Sequence, residues 1–280
     1  MQADAVAAAS NAAEAGVSAA ADAVSAASAD VPLTAFGIVL SKIEYFVTVP
    51  MVYLAILFFA AAAVYKIVSI FSAPAPGYAP TLYPLKKRPM MAAMSDAFAM
   101  PQVRKHAPVF WVFLMVYHVA FILLILGHLD ILPSINIVDP ESKHMLGAGA
   151  VGVGVTLPMF YFIIRRFSGE VRRISTPADY LLLFLLLFLF LLGDMISWGN
   201  SWTAHGFVMT KADFSLYFDG LVRFTFDDPR KVLPGSHFHF VVLHVLLANV
   251  FFIVLPFSKV MHVFLSLPIN ILRRKPWTAK

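Results

Sequence analysis

The sequence predicts an all-α integral membrane bundle of five transmembrane helices, with its N-terminus outside and its C-terminus in the cytoplasm. Three observations carry that expectation. Of the 280 residues, 60% are hydrophobic and only 13% charged, about half the charge typical of a soluble domain. Several apolar windows reach the roughly 20 residues that a helix needs to cross a bilayer. The basic residues gather in alternate connections, which sets the orientation.

Residues 1–30 are Ala-rich and low in complexity, with charges at Asp4, Glu14, Asp22 and Asp30 only. Alanine favours helix, yet after Met1 no apolar side chain larger than valine occurs before Leu33. The segment has no basic start and no Leu-rich stretch, so it does not read as a signal peptide. Residues 1–36 are expected to form a tail, 37–275 the membrane domain and 276–280 a short cytoplasmic end.

The five spans fall at about 46–71, 108–130, 145–164, 179–198 and 238–265. Pro50 and Pro256 lie within the first and last, where each should kink or end its helix. The connection 72–107 is rich in proline and basic residues, and 165–178 is short and basic. The connection 199–237 is long, aromatic and mixed in charge, with room for a short surface or re-entrant helix.

One side of the predicted bundle carries Lys86, Lys87, Arg88, Arg104, Lys105, Arg165, Arg166, Arg172, Arg173, Arg273, Arg274, Lys275 and Lys280. The other carries Lys42, Lys143, Lys211, Arg223, Arg230 and Lys231. The positive-inside rule puts the first set in the cytoplasm. The formal charge of +5 is thereby explained by topology and implies no nucleic-acid partner.

Cysteine is absent, which excludes disulfides, a thiolate-held iron–sulfur cluster and a Cys-type zinc site in this chain. The run "GAGAVGVGV" at 147–155 lies in an apolar span with no strand before it. It reads as close helix packing by small residues, not as a dinucleotide loop.

Four histidines stand out. The second span, with "YHVAFILLILGH", holds His118 and His128; the fifth holds His244 and His262. Intramembrane ionisable groups are costly and are functional candidates by default. The two spans run antiparallel, so His118 and His262 share the cytoplasmic half while His128 and His244 share the outer half. Facing imidazoles across a gap between helices can supply both axial ligands of a haem iron. Ten residues rise about 15 Å in a helix but eighteen rise about 27 Å, a mismatch that tilt and the Pro256 kink must absorb. His106 falls in a basic loop, and His144 and His205 at the outer surface. His237 and His239 open the fifth span, and His239, five residues from His244, is an alternative outer ligand. Asp194 is the one carboxylate expected near membrane depth.

The His118–x9–His128 helix ending in "GH", and the last span with His244, His262 and "PFSKVMH", resemble the gamma subunit of respiratory nitrate reductase. So does "STPADYLLLFLLLFL" after the short basic connection. The resemblance covers roughly residues 45–275. It extends to a superfamily of membrane cytochromes b that includes subunits of transmembrane redox complexes in sulfate-reducing and sulfur-metabolising microbes.

The resemblance implies a multi-pass protein of a prokaryotic cytoplasmic membrane with two haems b, the inner on His118 and His262 and the outer on His128 and His244. It implies quinone or menaquinol as substrate near the outer haem, with Lys143 as the quinone-site candidate. It further implies a cytoplasmic iron–sulfur partner similar to heterodisulfide reductase. An outer multihaem cytochrome c is a further possible partner, with 199–237 as its docking surface. Two alternatives stand beside this reading: the gamma subunit of a membrane-bound nitrate reductase, and a proton or ion transporter using the buried histidines.

Overall fold

The computed structural model describes residues 35–73, 88–132, 134–135, 137, 149–202, 211–233 and 237–272. The chain divides into two compact units, 1–43 and 44–280. Among the described residues all regular structure is helical. Five helical spans are long and apolar enough to cross a membrane: Ala35–Phe71, Pro108–Asp130, Ala150–Phe167, Pro177–Trp198 and Phe238–Phe257. This is a multi-pass membrane protein.

The first span is two helices, α1 (Ala35–Thr48) and α2 (Pro50–Phe71). It therefore starts earlier than the 46–71 expected from the sequence, because 35–45 continues the apolar helix beyond one bilayer length. Val49 leaves the helical region and Pro50 has no N–H to donate. The carbonyls released at this break are taken up by side chains. Asn249 Nδ2 donates to Val47 O at 2.9 Å, and the Tyr217 hydroxyl donates to Thr48 O at 2.5 Å. Within a membrane every backbone polar group needs such a partner.

The connection before the second span is partly helical: α3 (Pro89–Met94), a π-helical turn at Ser95–Ala99 and α4 (Pro101–His106). The second and third spans are α5 (Pro108–Asp130) and α6 (Ala150–Phe167). They pack closely because Gly154 faces Ala120, where an added Cβ would come within 2.9 Å of the Ala120 methyl. The glycine-rich run thus serves helix contact.

The short helix α7 (Gly169–Arg173) leads to α8 (Pro177–Trp202). Thr176-Pro-Ala-Asp179 forms the start of α8: Asp179 Oδ2 accepts from the Thr176 N–H at 3.0 Å and its hydroxyl at 3.1 Å, a capping-box arrangement. The same carboxylate binds Arg166 at 3.2 Å and Lys259 at 2.7 Å. It therefore ties together the third span, the fourth span and the turn that follows the fifth, at what we call the basic end of the bundle.

The connection 199–237 contains α9 (Lys211–Val222), followed by a 3-10 turn at Pro229–Lys231. Its Phe214, Tyr217 and Leu233 join Phe238 and Val241 in an apolar cluster, against Ile131 and Ile196. At this opposite end Lys211 and Asp130, both almost fully buried, pair at 2.9 Å. Asp130 Oδ1 also accepts from the Ile137 N–H at 2.6 Å. Burial holds the Tyr217 phenol above its ordinary value.

The fifth span, expected over 238–265 with a kink or end at Pro256, does break there, and its crossing stops at Phe257. Helix α10 (Phe238–Val254) ends in 3-10 turns at Leu255–Phe257 and Lys259–Met261, and a separate helix, α11 (His262–Leu272), follows. Ser258 is extended between the turns; its hydroxyl donates to Leu255 O at 2.9 Å and accepts from the Val260 N–H at 3.2 Å. Lys66, from α2, donates to the carbonyl of Pro256 at 2.8 Å. The physical cause is local: proline cannot supply the next helical N–H, and serine caps the turn that replaces it.

Close packing runs from α5 to α6, α6 to α8, α8 to α10 and α10 to α2. Helices α5 and α10 are not among the closely packed pairs. They face one another across a cleft that side chains bridge.

Candidate functional site

The four membrane histidines meet across that cleft. His118 of α5 and His262, the first residue of α11, have ring centres 6.1 Å apart with planes at 67°. His128 of α5 and His244 of α10 have ring centres 6.4 Å apart with planes at 14°. Imidazoles bound on opposite sides of one metal, each through nitrogen at about 2.0 Å, place their ring centres roughly 6 Å apart. Both pairs have that separation.

The turns after α10 remove the spacing mismatch. From His244 to Val254 there are ten helical residues, the same as from His118 to His128, or about 15 Å on each arm. The next eight residues do not continue the rise. They carry His262 to the level of His118.

Every one of the four rings is oriented by a backbone carbonyl. Nδ1 donates to Leu114 O from His118 (2.7 Å), to Leu124 O from His128 (2.9 Å), to Leu189 O from His244 (3.1 Å) and to Lys259 O from His262 (2.8 Å). A carbonyl can only accept, so Nδ1 carries the hydrogen and Nε2 keeps its lone pair. That is the state in which imidazole binds a metal, with the second nitrogen fixing its direction.

Three of these carbonyls lie three or four residues back on the same stretch of chain. Leu189 is the exception, because it belongs to α8. Gly193, one turn further along α8, gives the His244 ring its seat: a Cβ there would lie 3.2 Å from His244 Cε1.

Among the described residues no group of three or more His, Cys, Asp or Glu converges on one point. A bare ion normally needs more protein ligands than two. Two opposed imidazoles suit an iron whose other four ligands come from its own macrocycle.

His239 faces elsewhere. Its Nδ1 meets Glu44 Oε1 at 2.5 Å, and Arg230 pairs with the other oxygen of Glu44. The ring opposite His128 is that of His244. Lys143 and the histidines His144 and His205 lie outside the described residues. Asp194 is buried as expected, but it is not alone among carboxylates, since Glu44, Asp130 and Asp179 are buried too. Each of those three has a cation that a single apolar window does not reveal. The sequence reading also missed Gly193 and the four carbonyls. A glycine followed by Asp194 in an otherwise Leu- and Phe-rich span was the available signal for the former; carbonyl partners leave no residue-type signal.

The nitrate reductase gamma subunit family model matches residues 109–280, a stretch that contains all four histidines. The chain belongs to that family. Among curated proteins, the nitrate reductase gamma chain of Bacillus subtilis (strain 168) is 32% identical over 140 residues. That alignment takes in 48% of this chain and 60% of the relative, so the chain spans under two thirds of the relative's length.

Proposed function

We propose that this family member is a dihaem b-type cytochrome, the membrane subunit of a respiratory redox complex, and that it moves electrons across the membrane. The observation that carries this reading is the pair of opposed imidazole couples at 6.1 and 6.4 Å, each ring held with Nε2 free. A haem bound at each couple would supply reversible one-electron oxidation and reduction at its iron.

The chain's own contribution is placement. His118 and His262 would hold one haem and His128 and His244 the other, with about 15 Å between levels along α5. The apolar faces of the spans exclude water and keep the local dielectric low. By the positive-inside rule the basic end, with Arg104, Lys105, Arg165, Arg166, Arg172 and Arg173, faces the cytoplasm. Its exposed cations, Arg104, Lys105, Arg172 and Arg173, suit an iron–sulfur partner with an acidic face, and heterodisulfide-reductase-like subunits are the class proposed. At the other end a quinone or menaquinol pool, or an outer cytochrome c, exchanges electrons near His128 and His244, with Lys143 as the quinone-site candidate. Electrons leaving on one side while protons leave on the other would conserve energy.

The family match favours a second reading of the partner: the catalytic subunits of a membrane-bound nitrate reductase. Both readings share the cytochrome and differ in what co-purifies.

The test is the reduced-minus-oxidised optical spectrum of the purified protein with haem quantified per chain. Two b haems per chain are expected, falling to one in His128→Ala and one in His262→Ala. Properly folded protein without haem would overturn the reading. Iron–sulfur or nitrate reductase subunits in a pull-down would then separate the two partners.

A further inference from the structure

Asp194 lies on α8 one residue past Gly193, the seat of the His244 ring. Its side chain is buried, and Oδ2 accepts a hydrogen bond from the Thr156 hydroxyl at 2.7 Å. The other oxygen rests over Gly152, where any Cβ would collide with it. Gly152 and Thr156 are four residues apart on α6 and so share one face. That face is shaped around the carboxylate: a glycine makes the room and a hydroxyl one turn later supplies a donor.

No cation accompanies it among the described residues. Glu44 has Arg230, Asp130 has Lys211, and Asp179 has Arg166 and Lys259. The helices packed most closely on α8 are α6 and α10; α9 touches it at Ile196 through Phe214 and Tyr217, with Lys211 of α9 paired to Asp130, and α5, which carries His118 and His128, reaches Phe190 through Tyr117 and Phe121. On α6 the ionisable side chains are Tyr161, stacked on Phe113, and Arg165 and Arg166 at the basic end. On α10 they are His239, engaged with Glu44, and His244, which faces the same turn of α8 as Asp194. Along α8 itself, Asp179 and Tyr180 lie at the far end, bound to Arg166. An ionised carboxylate in this setting is balanced by no fixed charge among the described residues, which is costly inside a membrane protein.

We propose that Asp194 is a proton-binding site coupled to the charge at the His128–His244 pair. The inference rests on the proposed function, which supplies the electron from a quinol or from the partner. One electron arriving at that pair makes the local charge more negative, and one proton from the nearby aqueous side forms an O–H bond on the Asp194 carboxylate. When the electron passes on, that bond breaks and the proton returns to water. A unit charge about 10 Å away through an effective dielectric near 20 changes proton affinity on the order of tenfold. Thr156 acts as a positioning residue that holds the carboxyl toward Gly152.

Redox-difference infrared spectroscopy on the full-length, haem-quantified protein, in H₂O and D₂O, tests this. The expected result is a protonated-carboxyl C=O band that changes on reduction, shifts in D₂O and disappears in Asp194→Asn. In Thr156→Val the band should persist at an altered frequency, which separates loss of the proton site from loss of the fold. Potentiometry should show the midpoint of the His128–His244 centre sloping downward with pH, by about 59 mV in all, the one-electron equivalent of tenfold. Asp194→Asn should flatten that slope and leave the His118–His262 centre unchanged. Two haems per chain with no such band, or with the same slope in Asp194→Asn, would overturn the proton site and leave the cytochrome standing. Folded protein without haem would overturn both.

Discussion

The two histidine pairs solve the same geometric problem by different means. His128 and His244 sit on uninterrupted helices, their planes are 14° from parallel, and His244 is braced by the Leu189 carbonyl and Gly193 of a third helix. His118 and His262 meet at 67°, and His262 arrives only after the chain has left one helix and begun another. Its ring is braced by its own turn, through Lys259 O. The first arrangement is fixed by helix–helix packing, the second by a local turn. Rigid packing and turn chemistry respond to different substitutions, so the pairs can be perturbed separately.

The largest effect should come from removing one ligand of each pair. His118→Ala and His244→Ala should each halve the haem per chain, and the double variant should remove it all. If either single change removes both haems, the pairs are not independent. Next in size is Lys211→Met, which leaves Asp130 buried without its cation and should destabilise the protein by about 3–5 kcal/mol. A lowered Tm is the readout, and Lys211→Met with Asp130→Leu should recover most of it. The optical spectrum of the His118–His262 centre should not change.

Lys66→Met acts at the other pair. It removes the charged donor to Pro256 O, a bond of about 1.5–3 kcal/mol, and should shift the midpoint of the His118–His262 centre alone. The smallest effect belongs to Gly193→Ala, whose Cβ asks the His244 ring to give by a few tenths of an ångström. Overpacking of this kind typically costs about 1–3 kcal/mol. Potentiometry should find a shift confined to the His128–His244 centre, and a shift at both would break the distinction between them.

Spans were legible in the sequence because length and apolar composition report directly on bilayer crossing. The histidines were legible because polar residues are rare there, and antiparallel parity alone says which ones share a depth. What stayed hidden depended on partners far along the chain. Glu44, two residues from Lys42 in an otherwise apolar stretch, does not read as buried until Arg230 and His239 are placed beside it. Asp130 and Lys211 are 81 residues apart in sequence, and neither looks buried from its neighbours. The break at Pro256 was legible, but the end of the fifth span was placed too far along because "VLPFSKVMH" is apolar enough to continue a crossing, while Pro256 and Ser258 spend their backbone groups on turns. The Pro-Phe-Ser element signals that turn, a reading that needs local hydrogen bonding more than hydropathy.

That turn also orders the steps of biogenesis. The last membrane crossing is complete at Phe257, and His262 lies beyond it at the head of its own short helix, α11, packed on α3. His128 and His244 can therefore face one another as soon as the final crossing is inserted. His262 can join His118 only after the C-terminal segment has emerged and settled onto the bundle. The fold makes the His118–His262 couple the last part of the site to be assembled.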